Sequence, residues 1–298
     1  MSSVLSLNGI TKYYGQIRAL NNVSFDVPEG SVFGILGPNG SGKTTLLSII
    51  LDVLKANNGQ FLWFGHEGSP EQRKKIGSLL ETPNFYHYLS AVNNLRVTQS
   101  ISGRGTAEDI LTVLKKVKLY ERRNSRFSTY SLGMKQRLAI AAALLGSPRV
   151  LVLDEPTNGL DPVGIAEIRD LIGELRKAGH TIIMASHLLD EVEKVCTHMA
   201  ILKMGDLLTT GNVEDILTDE DVVEVGAADP VALSAVLAER FPASKISREN
   251  NVLQVSLSKG TARLDEINSF CFNKGIVLNH LLLKKKRLEA RFFELTNN

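Results

Sequence analysis

The chain has 298 residues, of which 43% are hydrophobic and 22% charged, the values of a packed protein of one or two domains. They exclude a disordered chain, which lacks the apolar surface to offset its ordering entropy, and 24 glycines are far too few for a collagen-like repeat. Basic and acidic residues nearly balance at 34 to 32 without a basic stripe, so no nucleic-acid partner is expected.

The longest apolar run, Leu138 to Leu145, is far short of the roughly 20 residues of a membrane helix. The opening Met1-Ser2-Ser3-Val4 has neither the basic nor the apolar region of a secretory leader, so a cytoplasmic location is expected. Cys196 and Cys271 lie far apart with no Cys-x-x-Cys spacing and read as ordinary reduced thiols.

In chain order, the segment from Val4 to about Asp52 reads strand, turn, strand, glycine loop, helix. Residues 23–27 alternate apolar and polar as a half-buried strand does, and Pro28-Glu29-Gly30 makes a turn. Ser31 to Leu36 is a short buried strand, and from Thr44 the spacing of Leu46, Leu47, Ile49 and Ile50 is helical. Residues 76–80 form a strand. Between Thr82 and about Ser128 the chain turns polar and helix-like, as an inserted helical lobe does. Residues 150–153 and 181–184 are buried strands, separated by a helix over 165–177 that Gly179 ends. This alternation predicts an α/β fold with a mostly parallel sheet. The composition shifts after about residue 218. Strands at 222–225, 252–257 and 276–283 and helices at 230–240, 264–273 and 288–295 then predict a small α+β domain over 219–298.

The strongest motif is Gly37-Pro38-Asn39-Gly40-Ser41-Gly42-Lys43-Thr44, a match to Gly-x-x-x-x-Gly-Lys-Ser/Thr between a buried strand and a helix. Glycines permit a loop whose backbone N–H groups surround phosphate oxygens, and the helix N-terminus adds partial positive charge. Lys43 would reach the β- and γ-phosphates, the Thr44 hydroxyl would coordinate Mg²⁺, and Thr45 continues the binding segment. The second motif is Val150-Leu151-Val152-Leu153-Asp154-Glu155, in which a buried strand delivers two carboxylates to its C-terminal end. Asp154 would hold the Mg²⁺ shell, and Glu155 would polarise an attacking water as general base.

Together these residues resemble an ATP-binding cassette of the ABC type, over roughly residues 4 to 215. Tyr130-Ser131-Leu132-Gly133-Met134 with Lys135-Gln136-Arg137 resembles the family signature, matching at Ser131 and Gly133 and departing at Tyr130, Leu132 and Met134. The resemblance implies a P-loop cassette over 1–218 with a mixed or parallel sheet and a helical lobe at about 82–145. It implies ATP and Mg²⁺ as ligands and ATP hydrolysis as the activity. Ser131 and Gly133 would reach ATP held by a second subunit. Gly159-Leu160-Asp161-Pro162 resembles the loop linking the two composite sites, His187 the residue touching the γ-phosphate, and Tyr14 the aromatic stacking on adenine. Where the family usually has Gln, this chain has Glu81, carried over as Mg²⁺-linked and facing the membrane partner. The groove for that partner is expected beside Glu81 and the helical lobe.

The closing segment Leu288 to Thr296 resembles cassettes of drug and bacteriocin efflux systems. The resemblance thus implies an exporter ATPase; because a cassette does not encode direction, an importer ATPase stays open, as does a non-transport cassette of the translation or DNA-repair type. The implied partners are separate transmembrane permease subunits and a second ATP-binding subunit, with a homodimer suited by the intact motifs. The implied location is peripheral, on the cytoplasmic face of the membrane. The run Lys284 to Arg287 reads as a solvated turn.

Overall fold

A computed structural model describes residues 2–217, 220–242, 244–249, 252–258, 260–284, 288, 289 and 292. The chain divides into two compact units between Val213 and Glu214.

The first unit opens with a hairpin, β1 (Ser3–Tyr14) and β2 (Ile17–Pro28), turning over Gly15 and Gln16. β3 (Val32–Leu36) is buried along its whole length, as apolar strands covered on both faces are. It leads into helix α1 (Lys43–Ile50), which buries Leu46, Leu47, Ile49 and Ile50. β4 (Asn58–Trp63) returns against β1, followed by the short β5 (His66–Glu67) and α2 (Pro70–Lys74). Trp63 is buried, and its indole N–H donates to the Ile50 carbonyl at 2.7 Å, so the largest apolar side chain enters the core with no polar atom stranded. β6 (Ile76–Leu79) then precedes the lobe helices α3 (Ala91–Ser102), α4 (Ala107–Lys116) and α5 (Leu132–Ala143). A reciprocal capping box of Thr106 and Asp109 starts α4, which turns Ile110, Val113 and Leu114 inward.

β7 (Val150–Asp154), α6 (Pro162–Lys177), β8 (Thr181–Ser186) and α7 (Leu189–Val195) continue the alternation. β9 (His198–Lys203) and β10 (Asp206–Asn212) close it, and α8 (Val213–Leu217) starts at the last residue of this unit. The ten strands form one sheet in the order β5-β4-β1-β2-β10-β9-β3-β8-β7-β6. From β9 to β6 the neighbours are parallel, whereas β1, β2, β4 and β5 pair antiparallel. The sheet is therefore mixed, with an antiparallel wing that the alternation of motifs did not predict. β4 begins Asn58-Gly59-Gln60 and β10 is only half-buried, so neither carries a strong apolar pattern.

The second unit is β11 (Glu220–Ala227), α9 (Pro230–Arg240), β12 (Lys245–Glu249), β13 (Val252–Ser258), α10 (Leu264–Asn273) and β14 (Leu278–Lys284). Its sheet order is β12-β13-β11-β14, antiparallel throughout, a split βαβ arrangement. Val223, Val225, Leu237, Val255, Ile267 and Cys271 are among its core residues. β12 was missed because Lys-Ile-Ser-Arg-Glu contains a single apolar residue. Lys284 ends β14 and pairs with Glu224 at 2.8 Å, so it belongs to the sheet and not to a turn. Residues 285–287, and most of the helix expected over 288–295, lie outside the described residues.

Candidate functional site

The phosphate loop spans residues 37–42, between the end of β3 and the start of α1. Gly42 precedes α1 with φ +104, and a Cβ there would stand 2.6 Å from the Ala19 carbonyl, so only glycine fits. Pro38, Asn39 and Gly40 form an exposed arc, Thr44 is exposed and Thr45 half-buried. The Lys43 chain folds back over the loop, and its Nζ donates to the carbonyls of Gly37 at 2.8 Å and Pro38 at 3.3 Å. Only 7% of that side chain is exposed, so the ammonium is fixed inside the ring of the loop. Ser41 Oγ, also buried, has no hydrogen-bond partner among the described residues.

β7 brings the carboxylates to the same place. Asp154 is buried, and burial pushes its carboxyl above the usual carboxylate range. A hydrogen bond from the Thr44 hydroxyl opposes that rise, the charges of Glu155 and Glu81 add to it, and Lys43 counters it. Asp154 Oδ1 is buried with no hydrogen-bond partner among the described residues. A desolvated carboxylate oxygen beside a hydroxyl and further carboxylates is the hard-oxygen set that Mg²⁺ prefers, so these residues fit the expected cation. Glu81 is exposed, with φ +58, at the turn that follows β6.

Glu155 follows the strand with φ +46, an uncommon conformation for a residue with a side chain. Its N–H donates to the Ala185 carbonyl at 3.0 Å. One carboxylate oxygen lies 3.6 Å from Lys43 Nζ, and the other accepts from His187 Nδ1 at 2.8 Å. His187 sits just past β8, where the Ser186 hydroxyl accepts from the Leu188 N–H at 3.0 Å and turns the chain. Lys43, Thr44, Asp154, Glu155 and His187 thus form one connected cluster from the start of α1 and the ends of β7 and β8, and the charge of Glu81 reaches it.

Ser131, Gly133 and Asp161 lie elsewhere. Ser131 caps α5, its Oγ accepting from the Met134 N–H at 3.3 Å, and Asp161 caps α6, accepting from the Gly164 N–H at 2.9 Å. Together with Gly133, Arg137 and Gly159 they line a cleft of about 390 Å³, to which no residue of the phosphate loop contributes. Tyr130 is buried, and its hydroxyl donates to the Arg122 carbonyl at 2.7 Å, so this departure from the signature anchors the turn. Tyr14 ends β1 at the hairpin, with 46% of its surface exposed and Lys12 Nζ 5.4 Å from the ring centre. Sequence reasoning named no residue of a further cleft, about 320 Å³, lined by Asn84, Phe85, Tyr86, Asn94, Val97 and Ile101. Asn94 shapes it by accepting from the Tyr86 N–H at 2.8 Å while its amide donates to the Tyr86 and Ser90 carbonyls. Its trace in the sequence is an asparagine among the buried Ala91, Val92 and Leu95 of α3.

A model of the ABC transporter family matches residues 20–158. The chain is 37% identical over 300 residues to the uncharacterized ABC transporter ATP-binding protein YhcH of Bacillus subtilis, covering 99% of this chain and 97% of that one. It is 32% identical to the bacitracin transport ATP-binding protein BcrA of Enterococcus faecalis, covering 99% and 97%. Among solved structures, a dimeric ATP-binding cassette in a post-hydrolysis state with ADP and Pi aligns with a TM-score of 0.62 and 28% identity. That alignment covers 70% of this chain and 98% of the other. These likenesses bear out the fold and the family read from the motifs: the chain belongs to the ABC transporter ATP-binding proteins, nucleotide-binding ATPases built on this cassette.

Proposed function

We propose that this chain is the ATP-hydrolysing subunit of an exporter, working as a pair of copies on the cytoplasmic face of a membrane beneath separate permease subunits. The observation that carries the reading is the division of the site. The cluster around Lys43 and Glu155 holds the groups that act on a terminal phosphate, while Ser131, Gly133 and Asp161 line a different cleft. A second copy facing the first would bring its Ser131 and Gly133 to the ATP held by the first loop. Closure of the two would exclude water and strengthen every charge interaction inside.

In this reading the loop N–H groups and Lys43 bind the β- and γ-phosphates of ATP, and Tyr14 stacks on the adenine. Thr44, Asp154 and Glu81 hold Mg²⁺. Bound there, Mg²⁺ neutralises charge that develops on the phosphate oxygens. Glu155 takes a proton from the attacking water, and His187, its Nδ1–H donated to Glu155, orients that carboxylate beside the γ-phosphate. The cleft at Asn84 to Ile101, lined in part by the exposed Tyr86 and Ile101 and the half-buried Val97, receives an apolar segment of the permease. Among the described residues no helix is long and apolar enough to cross a membrane, so the pore is assigned to another polypeptide. The relative named for bacitracin transport supports a transport role for this chain, with a compound of that kind as cargo.

The test is purification of the tagged chain from detergent-solubilised membranes, followed by reconstitution of the complex in vesicles. Recovery of a polytopic membrane protein and ATP-driven flux away from the side bearing this chain is expected. Flux toward that side would overturn export, and recovery of ribosomes or DNA alone would overturn transport.

A further inference from the structure

The turn between β9 and β10, Lys203-Met204-Gly205-Asp206, plays no part in the mechanism above, yet it touches the phosphate loop directly. The Gly205 N–H donates to the Ser41 carbonyl at 3.1 Å, and the Gly205 carbonyl accepts from the Asn21 N–H at 2.9 Å. Gly205 has φ +85, and a Cβ there would lie 2.6 Å from the Ala19 carbonyl oxygen and 2.9 Å from its carbon. Both obstacles are backbone, which has no rotamer by which to move aside. The same Ala19 oxygen limits Gly42 at 2.6 Å, and the Leu202 carbonyl limits Gly37 at 2.3 Å. Three glycines therefore converge where the loop, β2 and the β9–β10 turn meet.

Asp206 holds the turn in place. Its Oδ1 accepts from Asn21 Nδ2 at 2.6 Å, its Oδ2 lies 3.6 Å from Arg18, and Asp206 and Asn21 are the register pair joining β10 to β2. Met204 beside it also has a positive φ, +49, and is 76% exposed, so the turn is held in a conformation its residue types do not favour.

We propose that Gly205 is a positioning residue for nucleotide binding, acting through the Ser41–Gly42 peptide. A trans peptide points its C=O and N–H in opposite directions. With the Ser41 carbonyl tied to Gly205, the Gly42 N–H is held on the opposite side of the loop, ready to donate to a phosphate oxygen. Without the tie, that peptide plane is free to rotate, since glycine at 42 permits it. A donor oriented before the ligand arrives avoids the ordering cost that a free loop incurs on binding. This inference rests on the reading of residues 37–44 as the phosphate site.

The experiment measures affinity for a fluorescent ADP and for ATP, steady-state hydrolysis, and thermal unfolding without nucleotide, for five proteins. These are wild type, Gly205→Ala, Gly179→Ala, Asp206→Ala and Lys43→Ala. Gly179 is the control, because it has φ +95 but nothing within 4 Å of a Cβ, so it carries the backbone strain without the collision. Gly205→Ala is expected to weaken ADP and ATP binding about tenfold and raise KM in step, with kcat within about threefold, the pattern of lost uniform binding. Asp206→Ala is expected to shift both the same way by about threefold, and Gly179→Ala to bind as wild type. Gly205→Ala binding like Gly179→Ala would overturn the proposal. Should Gly205→Ala fail to fold, Asp206→Ala decides, and wild-type affinity in it would overturn the proposal. Lys43→Ala separates the two readings. Full affinity in that variant would overturn the phosphate-site reading, whereas its loss with normal binding in the Gly205 and Asp206 variants would overturn only the role of Gly205.

Discussion

His187 Nδ1 and Glu155 Oε2 lie 2.8 Å apart, and the second Glu155 oxygen is 3.6 Å from Lys43 Nζ. An ionised carboxylate only accepts hydrogen bonds, so the imidazole proton sits on Nδ1 and points at Glu155. The carboxylate is thus oriented from two sides before any substrate arrives. Glu155→Gln keeps the shape and an acceptor oxygen but has no basic site. ATP hydrolysis measured by phosphate release should fall by about 100-fold or more, with ATP still bound. Turnover near that of wild type would remove Glu155 from the role of base.

The separation of Ser131 and Gly133 from the phosphate loop is tested by complementation. Gly133→Asp places a carboxylate in the cleft beside Asp161, and hydrolysis should fall about 100-fold although each chain keeps its own nucleotide loop. Mixing it with Lys43→Ala protein should restore hydrolysis, because each mixed pair holds one site with both halves intact. Undiminished hydrolysis by Gly133→Asp alone would argue against a shared site.

Glycine at 77 is required by packing. A Cβ there would stand 2.0 Å from the Ala143 carbonyl oxygen, where α5 lies on β6, and this backbone has no room to yield. Gly77→Ala should destabilise the protein by about 1–3 kcal/mol in chemical denaturation. Gly173→Ala, inside α6 with nothing within 4 Å, should instead stabilise it by about 0.5–1 kcal/mol. Equal effects of the two changes would contradict the contact geometry.

Glu224 is an acid-sensitive group of the second unit. The hydrogen bond from Lys284, and a weaker one from His280, hold its carboxyl below the usual carboxylate range, against a smaller desolvation effect. A depressed folded-state value contributes stability that is complete above the ordinary carboxylate range and is lost as pH falls through the folded value. Thermal unfolding of the wild type should therefore weaken toward acid pH. Glu224→Gln should be less stable at pH 7 and lose part of that acid dependence. An identical slope in both proteins would remove Glu224 as a contributor.

The two thiols should be chemically silent in the folded chain. Cys196 and Cys271 are both buried and free, and burial raises both thiols above their ordinary range. Only the thiolate reacts, so a chromogenic disulfide reagent should label neither in the native protein and both after denaturation. Rapid labelling of either before unfolding would contradict this packing.

How much of this was legible follows from the distance in sequence over which each feature is built. The phosphate loop is contiguous: β3, three glycines and α1 state their conformations locally, and Asp154 and Glu155 end an all-apolar strand. The lobe helices announce themselves with caps, as Thr106 does with Asp109. The antiparallel wing did not, because β4 opens with polar residues and gains its place by pairing with β1 and β5. Nor did the link from Gly205 to Ser41, since a glycine in a hairpin turn reads only as a turn.

By itself, then, the sequence determined the local chemistry: that a helix start carries the cation, that two strand ends carry the carboxylates and the imidazole, and that the arrangement suits a phosphorylated nucleotide. Those features depend on residue type, burial pattern and short-range spacing, which any stretch of chain carries with it. Only the tertiary structure decided which residues meet. It set Glu155 between Lys43 and His187, put Ser131 and Asp161 in a separate cleft, and pressed the backbone of Ala19, Leu202 and Gly205 against the phosphate loop. Such contacts join residues remote in the chain through backbone shape and the space left by a missing Cβ, and no local pattern records them.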